Sequence, residues 1–282
     1  MSVTKVKTSD LKIGNTRIEF IEMGEGKPLF FLHGNPGSKE DWEDLSMALA
    51  PKGFRGIIPD RIGHGKSDSI LFTGDDPDQS INLYREMIKR TCGEKAYLVA
   101  YSYGCFLALR IAQMFPDDVS GLGLITPFIF PKDPSEKPSG LPKLAQIPVL
   151  GEILSILVPL LSKGKMKEHV EKVFYPAKPS AEVMQKALGK FTAFSGIIAA
   201  LNDRNELAET HLAFRDKMKS VNKPVIVIGG KEDAICGSTA HVDRIVESIK
   251  GVEKHMLDGG GHGIIFSQYK EIAELMANHI PK

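Results

Sequence analysis

The sequence predicts an α/β protein, a mostly parallel sheet of eight strands flanked by helices and interrupted by one helical insertion. Compact apolar runs alternate with stretches of helical period from residue 17 to residue 126, the pattern of a parallel sheet covered by helices. The run KAYLVA at 95–100 is apolar on both alternating sides, as a strand buried between two layers must be. From Pro127 to about Asn222 no convincing strand occurs, and the alternation then resumes at residue 224.

In chain order, an antiparallel ribbon is expected around the turn signal Gly14-Asn15, its second arm being RIEFIEM at 17–23. The strand PLFFLH at 28–33 feeds a Gly- and Pro-rich loop, HGNPGS, and a helix near 40–50 leads to the strand FRGIIPD at 54–60. The loop RIGHGKSD and a helix near 78–91 precede the central strand at 95–100. The helix CFLALRIAQMF at 105–115 is apolar almost all round, hence central, and Pro116 stops it. A strand at 121–126 closes the first part. After the insertion come the strand PVIVIGG at 224–230, a helix near 239–249, the strand VEKHML at 252–257 and a last helix near 267–279. Residues 1–126 and 223–282 therefore read as one core and residues 127–222 as a helical cap inserted into it.

Composition narrows the function. The 282 residues are 42% hydrophobic and 25% charged, and 36 Lys and Arg balance 35 Asp and Glu. A net charge of +1 offers no footprint for a polyanion, so no nucleic-acid partner is expected. Cys92, Cys105 and Cys236 are odd in number and lack paired spacing, which fits neither a disulfide framework nor a zinc site. The opening residues MSVTKVKTSDLKIG contain no apolar stretch behind a basic start. A cytoplasmic protein is the expectation.

The chemistry centres on AYSYG at 100–104, which puts a serine on the turn between an apolar strand and an apolar helix. It matches G-x-S-x-G at all but its first position, where Ala100 stands for glycine. At a helix amino terminus, unpaired N–H groups favour the negative charge that develops when Ser102 attacks a carbonyl. A serine hydroxyl needs a base. His262, in the glycine-rich stretch DGGGHGIIF after the last strand, can reach over the sheet's carboxyl edge. That base needs an anion on its other nitrogen, which Asp233 in GGKED supplies from the neighbouring strand end, with Glu232 as the fallback.

The order Ser102, Asp233, His262, each soon after a strand, is the order of the α/β-hydrolase superfamily, which the sequence resembles over essentially its whole length. HGNPG, DRIGHGKSD, AYSYG, GGKED and GGGHG all stand where that family places them. The resemblance implies an eight-stranded core with a cap after the sixth strand, and an oxyanion hole from the backbone N–H of Tyr103 and one from the HGNPG loop, assigned to Asn35 because Pro36 has no N–H. HGNPG and DRIGHGKSD also look similar to the haloalkane dehalogenase and epoxide hydrolase branches, whose nucleophile is aspartate. Ser102 argues against both chemistries.

The expected activity is hydrolysis of carboxylic esters through an acyl-enzyme on Ser102, with no metal or organic cofactor implied. Other serine chemistries of the same fold are carbon–carbon bond hydrolysis, peptidase, perhydrolase and lyase activity, and fold does not choose among them. Two rivals of another class remain: a small-molecule receptor that retains the triad, and a scaffold with an inert site. A fluorophosphonate label without repeated turnover marks the receptor, and absence of label marks the scaffold. The stretch 147–161, IPVLGEILSILVPLL, is too short and too rich in proline to span a membrane. It reads as a cap helix packed over the active site, or as an acyl channel or interfacial lid in transient contact with a membrane. All three favour an apolar substrate. NDRNE at 202–206 could orient a substrate head group but reads more readily as a solvated stretch.

Overall fold

The computed structural model describes residues 5–70, 76, 78–93, 95–131, 138–191 and 193–281. The first hairpin, β1 (Val6–Ile13) and β2 (Thr16–Gly24), turns at Gly14-Asn15, with Ile13 facing Thr16 across the two-residue loop. β3 (Lys27–Leu32) is followed by α1 (Glu43–Leu49) and β4 (Phe54–Pro59), and α2 (Gln79–Cys92) leads into β5 (Ala96–Tyr101). α3 (Tyr103–Met114) and β6 (Val119–Ile125) complete the first part. Between β6 and β7 (Val225–Gly230) the described residues form α4 (Leu141–Leu144), α5 (Leu150–Phe174), α6 (Ala181–Phe191) and α7 (Phe194–Lys217), with no strand among them. α8 (Ser238–Ser248), β8 (Glu253–Leu257), α9 (Ile264–Ser267) and α10 (Tyr269–His279) close the chain.

The eight strands make one sheet in the order β1-β2-β4-β3-β5-β6-β7-β8. Only β2 runs against the rest, pairing antiparallel with β1 and β4, while every other neighbouring pair is parallel. The period of two along each strand divides the core between two faces. On β3, Phe30 and Leu32 face α2, α3 and α8, whereas Leu29 and Phe31 face α1 and α10. On β5, Ala96, Leu98 and Ala100 belong to the first face, and Tyr97, Val99 and Tyr101 to the second. Every residue of β5 is buried, which is why its sequence shows no polar alternation. At the edge, β1 alternates exposed and half-buried positions.

Two expectations for the inserted segment are corrected. The apolar side chains of residues 147–161 are not all turned inward as in a packed cap helix: Ile156, Leu160 and Leu161 are 70–77% exposed. NDRNE is not solvated either, because Asp203, Asn205 and Glu206 are buried and only Arg204 faces out. The reason lies in α7, whose Leu207 and Phe214 join the core face of α3. The carboxylates on that side of the helix are carried inward, where they meet buried arginines.

Candidate active site

The parallel strands end on one rim, and three turns leave it beside one another. β5 passes into α3 at Ser102, whose backbone has φ 53° and ψ −121°, a conformation that costs a non-glycine residue about 1–3 kcal/mol and persists where the surroundings impose it. They do so here: Ser102 N–H donates to Ile125 O at 3.0 Å, and Ser102 O accepts from Cys105 N–H at 3.0 Å and from Phe128 N–H at 3.1 Å. The turn is also crowded. A Cβ at position 104 would fall 2.1 Å from Leu32 O on β3, so Gly104 is what lets α3 start this close to the sheet. Ala100 is fully buried at the other small position.

His262 lies in the turn between β8 and α9, where its carbonyl accepts from the Thr126 hydroxyl at 3.0 Å. Its ring packs on Tyr101 at a centroid distance of 5.2 Å, and both Ser102 and His262 are buried. His262 Nε2 is 2.9 Å from Ser102 Oγ, and Nδ1 is 2.8 Å from Asp233 Oδ2. The three side chains therefore form one hydrogen-bonded chain. Asp233 is fixed in turn by the N–H groups of Ile235 at 2.8 Å and Cys236 at 3.1 Å, and by the Ser238 hydroxyl. Burial works to raise this carboxyl, but the hydrogen bond and charge of His262, the Ser238 hydroxyl and the Cys236 N–H together hold it well below the usual carboxylate range.

With Asp233 ionised, Nδ1 of His262 carries the proton and Nε2 is left to accept one from Ser102. Cys236 Sγ stands 3.2 Å from Asp233 Oδ2 and 3.5 Å from His262 Nδ1. These three donor atoms lie within 4.8 Å of one another, the one group of metal-ligand type among the described residues, yet the Asp233–His262 hydrogen bond already engages two of them. Glu232 leaves the strand end without joining the chain to His262.

The loop facing Ser102 holds Asn35. Its neighbour Gly34 lies against Ser102, since a Cβ there would fall 3.1 Å from Ser102 Cβ. Asn35 uses its side-chain amide elsewhere, donating to Ala200 O on α7 at 2.9 Å. Tyr103 heads α3, so its N–H has no partner within the helix; its hydroxyl donates to Glu206 Oε2 at 3.1 Å. Burial pushes Glu206 up to about 7 against the pull of Arg110, and the charge of Asp203 adds to the rise.

A second buried network braces this loop. Arg61, 1% exposed, donates from Nε to His33 O at 2.8 Å and from Nη2 to Gly34 O at 2.9 Å. The same guanidinium holds Asp203 on α7 with two bonds, of 3.1 and 2.7 Å. His33 Nδ1 donates to Gly34 O at 2.9 Å and Nε2 accepts from Arg61 N–H at 2.9 Å. Burial, with the Arg61 charge added, holds His33 far below the usual histidine range, so it is neutral. The sequence puts Arg61 in a loop and Asp203 in a polar stretch, and neither carries a local signal for a partner 142 residues away.

A model of the family described as alpha/beta hydrolase fold matches residues 27–269. A 2-hydroxy-6-oxononadienedioate/2-hydroxy-6-oxononatrienedioate hydrolase of Pseudomonas putida is 24% identical over 270 residues, covering 92% of this chain and 88% of that protein. A non-heme chloroperoxidase of Kitasatospora aureofaciens is 24% identical, covering 88% of this chain and 89% of its own. Among solved structures, Cfl2 from Burkholderia cenocepacia superposes with a TM-score of 0.78 at 20% identity over 98% of this chain and 96% of that one. Potato (Solanum tuberosum) epoxide hydrolase I gives 0.74 at 20% identity over 97% and 98%. With the family's pattern spanning residues 27–269 of the 282, the chain belongs to the alpha/beta hydrolase fold family.

Proposed function

We propose that the protein is a serine hydrolase of carboxylic esters with small to medium, apolar acyl groups. The reading rests on one observation, the chain from Ser102 Oγ through His262 to Asp233 with hydrogen bonds of 2.9 and 2.8 Å. In the proposed mechanism Ser102 Oγ attacks the ester carbonyl while His262 Nε2 takes its proton, and the imidazolium then protonates the departing alcohol. Water, activated by the same nitrogen, attacks the acyl-enzyme and releases the acid. The oxyanion accepts hydrogen bonds from the N–H of Tyr103 and the N–H of Asn35. Its support is the position of Tyr103 at the start of α3 and the close approach of the Gly34 backbone to Ser102. Residues 127–222 act as the cap, and the core is made of residues 1–126 and 223–282.

An ester panel graded by acyl length, run beside Ser102→Ala, tests this. Medium-chain esters turn over faster than acetate, and the variant loses at least ~10³-fold in kcat. A rate falling steadily from acetate upward contradicts the apolar acyl site. A second reading, hydrolysis of a carbon–carbon bond, is favoured by the Pseudomonas putida relative. Turnover of a 2-hydroxy-6-oxodienoate without turnover of any ester selects it.

A further inference from the structure

Helix α5 is apolar on two opposite sides. Val170 and Val173 are buried on one of them. The other carries Ile153, Ile156, Leu157, Leu160 and Leu161, spaced i, i+3, i+4, i+7, i+8 and 46–77% exposed, the spacing of a single helix face. The chain leading into α5 extends the patch with Leu144, Ile147 and Val149, each 45–66% exposed. Exposed apolar residues usually occur singly, and a contiguous group marks a contact surface.

Charge says what the surface contacts. From residue 143 to the end of α5 at Phe174 there are five exposed lysines, Lys143, Lys163, Lys165, Lys167 and Lys172, against three exposed acidic residues, Glu152, Glu168 and Glu171, and Glu168 is paired with Lys172 at 2.6 Å. Lys167 follows Leu160 by two helical turns and so shares the apolar face. Two copies of this chain meeting through the patch would bring two surfaces with an excess of lysine together, whereas a layer of anionic headgroups over acyl chains neutralises that excess and takes up the side chains. None of the described helices is long and apolar enough to cross a membrane, so α5 would lie in the interfacial plane.

We propose that the outer face of α5, with residues 144–149, docks onto an anionic lipid bilayer. The proposal rests on exposure and charge, and it stands whatever Ser102 does. It also has a geometric consequence: the inner end of α5 meets the His262 turn, where Gly263 N–H donates to Val173 O at 2.8 Å and Phe174 stacks on Phe266 at 5.5 Å. A bound bilayer therefore lies against the helix that runs to the site.

Flotation of the full chain at low salt with phosphatidylcholine vesicles, pure or mixed in equal parts with phosphatidylglycerol, decides the matter. The expected result is binding to the mixed vesicles on the order of tenfold above that to the neutral ones. The combined change Ile156→Ser, Leu160→Ser, Leu161→Ser lowers it on the order of tenfold, as does Lys163→Glu, Lys165→Glu, Lys167→Glu, with thermal unfolding verifying that each variant is folded. Equal binding to both vesicles, no binding, or unchanged binding by either folded variant overturns the proposal. So does light scattering that finds a dimer which the serine variant dissolves, since the occupant would then be a second copy.

Discussion

Ser102, His262 and Asp233 lie far apart in the chain and meet through bonds that each constrain the next. Asp233 is the most heavily tied, with two backbone N–H groups and a serine hydroxyl as well as His262. Replacing it with Asn keeps the shape but lets His262 take the tautomer with Nδ1 unprotonated, so Asp233→Asn should lower kcat by roughly 10³- to 10⁴-fold. The same depressed carboxyl stabilises the folded chain: that contribution is present above the unfolded Asp value of 3.8 and is lost as pH falls through the lower folded value. The gap in urea midpoint between wild type and Asp233→Asn should accordingly be widest at neutral pH and close in acid. A gap that widens in acid contradicts the assignment. That Ser102, His262 and Asp233 come together was legible because each follows a strand in the family's order. Ser238 and Thr126 were not, since a hydroxyl that orients another group carries no motif.

Between elements, the decisive joint is Arg61, which ties the carbonyls of His33 and Gly34 to Asp203 on α7. Burial works to raise the Asp203 carboxyl, but Arg61 and His64 keep it below the usual range, so the pair is ionised. Asp203→Ala leaves a buried guanidinium without its counter-charge and should cost about 3–5 kcal/mol in stability. The double change Arg61→Met, Asp203→Leu should recover much of that loss while kcat stays low at unchanged KM, because the loop carbonyls lose their clamp. Full recovery of kcat would reduce the joint to simple packing. The strands and helices of the core were readable from period and punctuation. α7 was misread because NDRNE is polar in a way that suits water and buried ion pairs equally, and only the partner arginines distinguish the two.

At the scale of the molecule, one sheet with two core faces gathers its loops on a single rim, and a long helical excursion between β6 and β7 returns to touch that rim at the His262 turn. The alternation of strand and helix exposed this architecture in the sequence. The orientation of α5 was hidden, because a helix apolar on both sides has no polar stripe to show which side faces out. The account as a whole depends on a reactive oxygen at the rim that accepts a covalent bond. Incubation with a fluorophosphonate followed by peptide mass mapping tests this most directly. The expected adduct lies on the peptide containing Ser102, forms in the wild-type chain, and is absent from folded Ser102→Ala; an adduct elsewhere, or full ester turnover by that variant, contradicts the account.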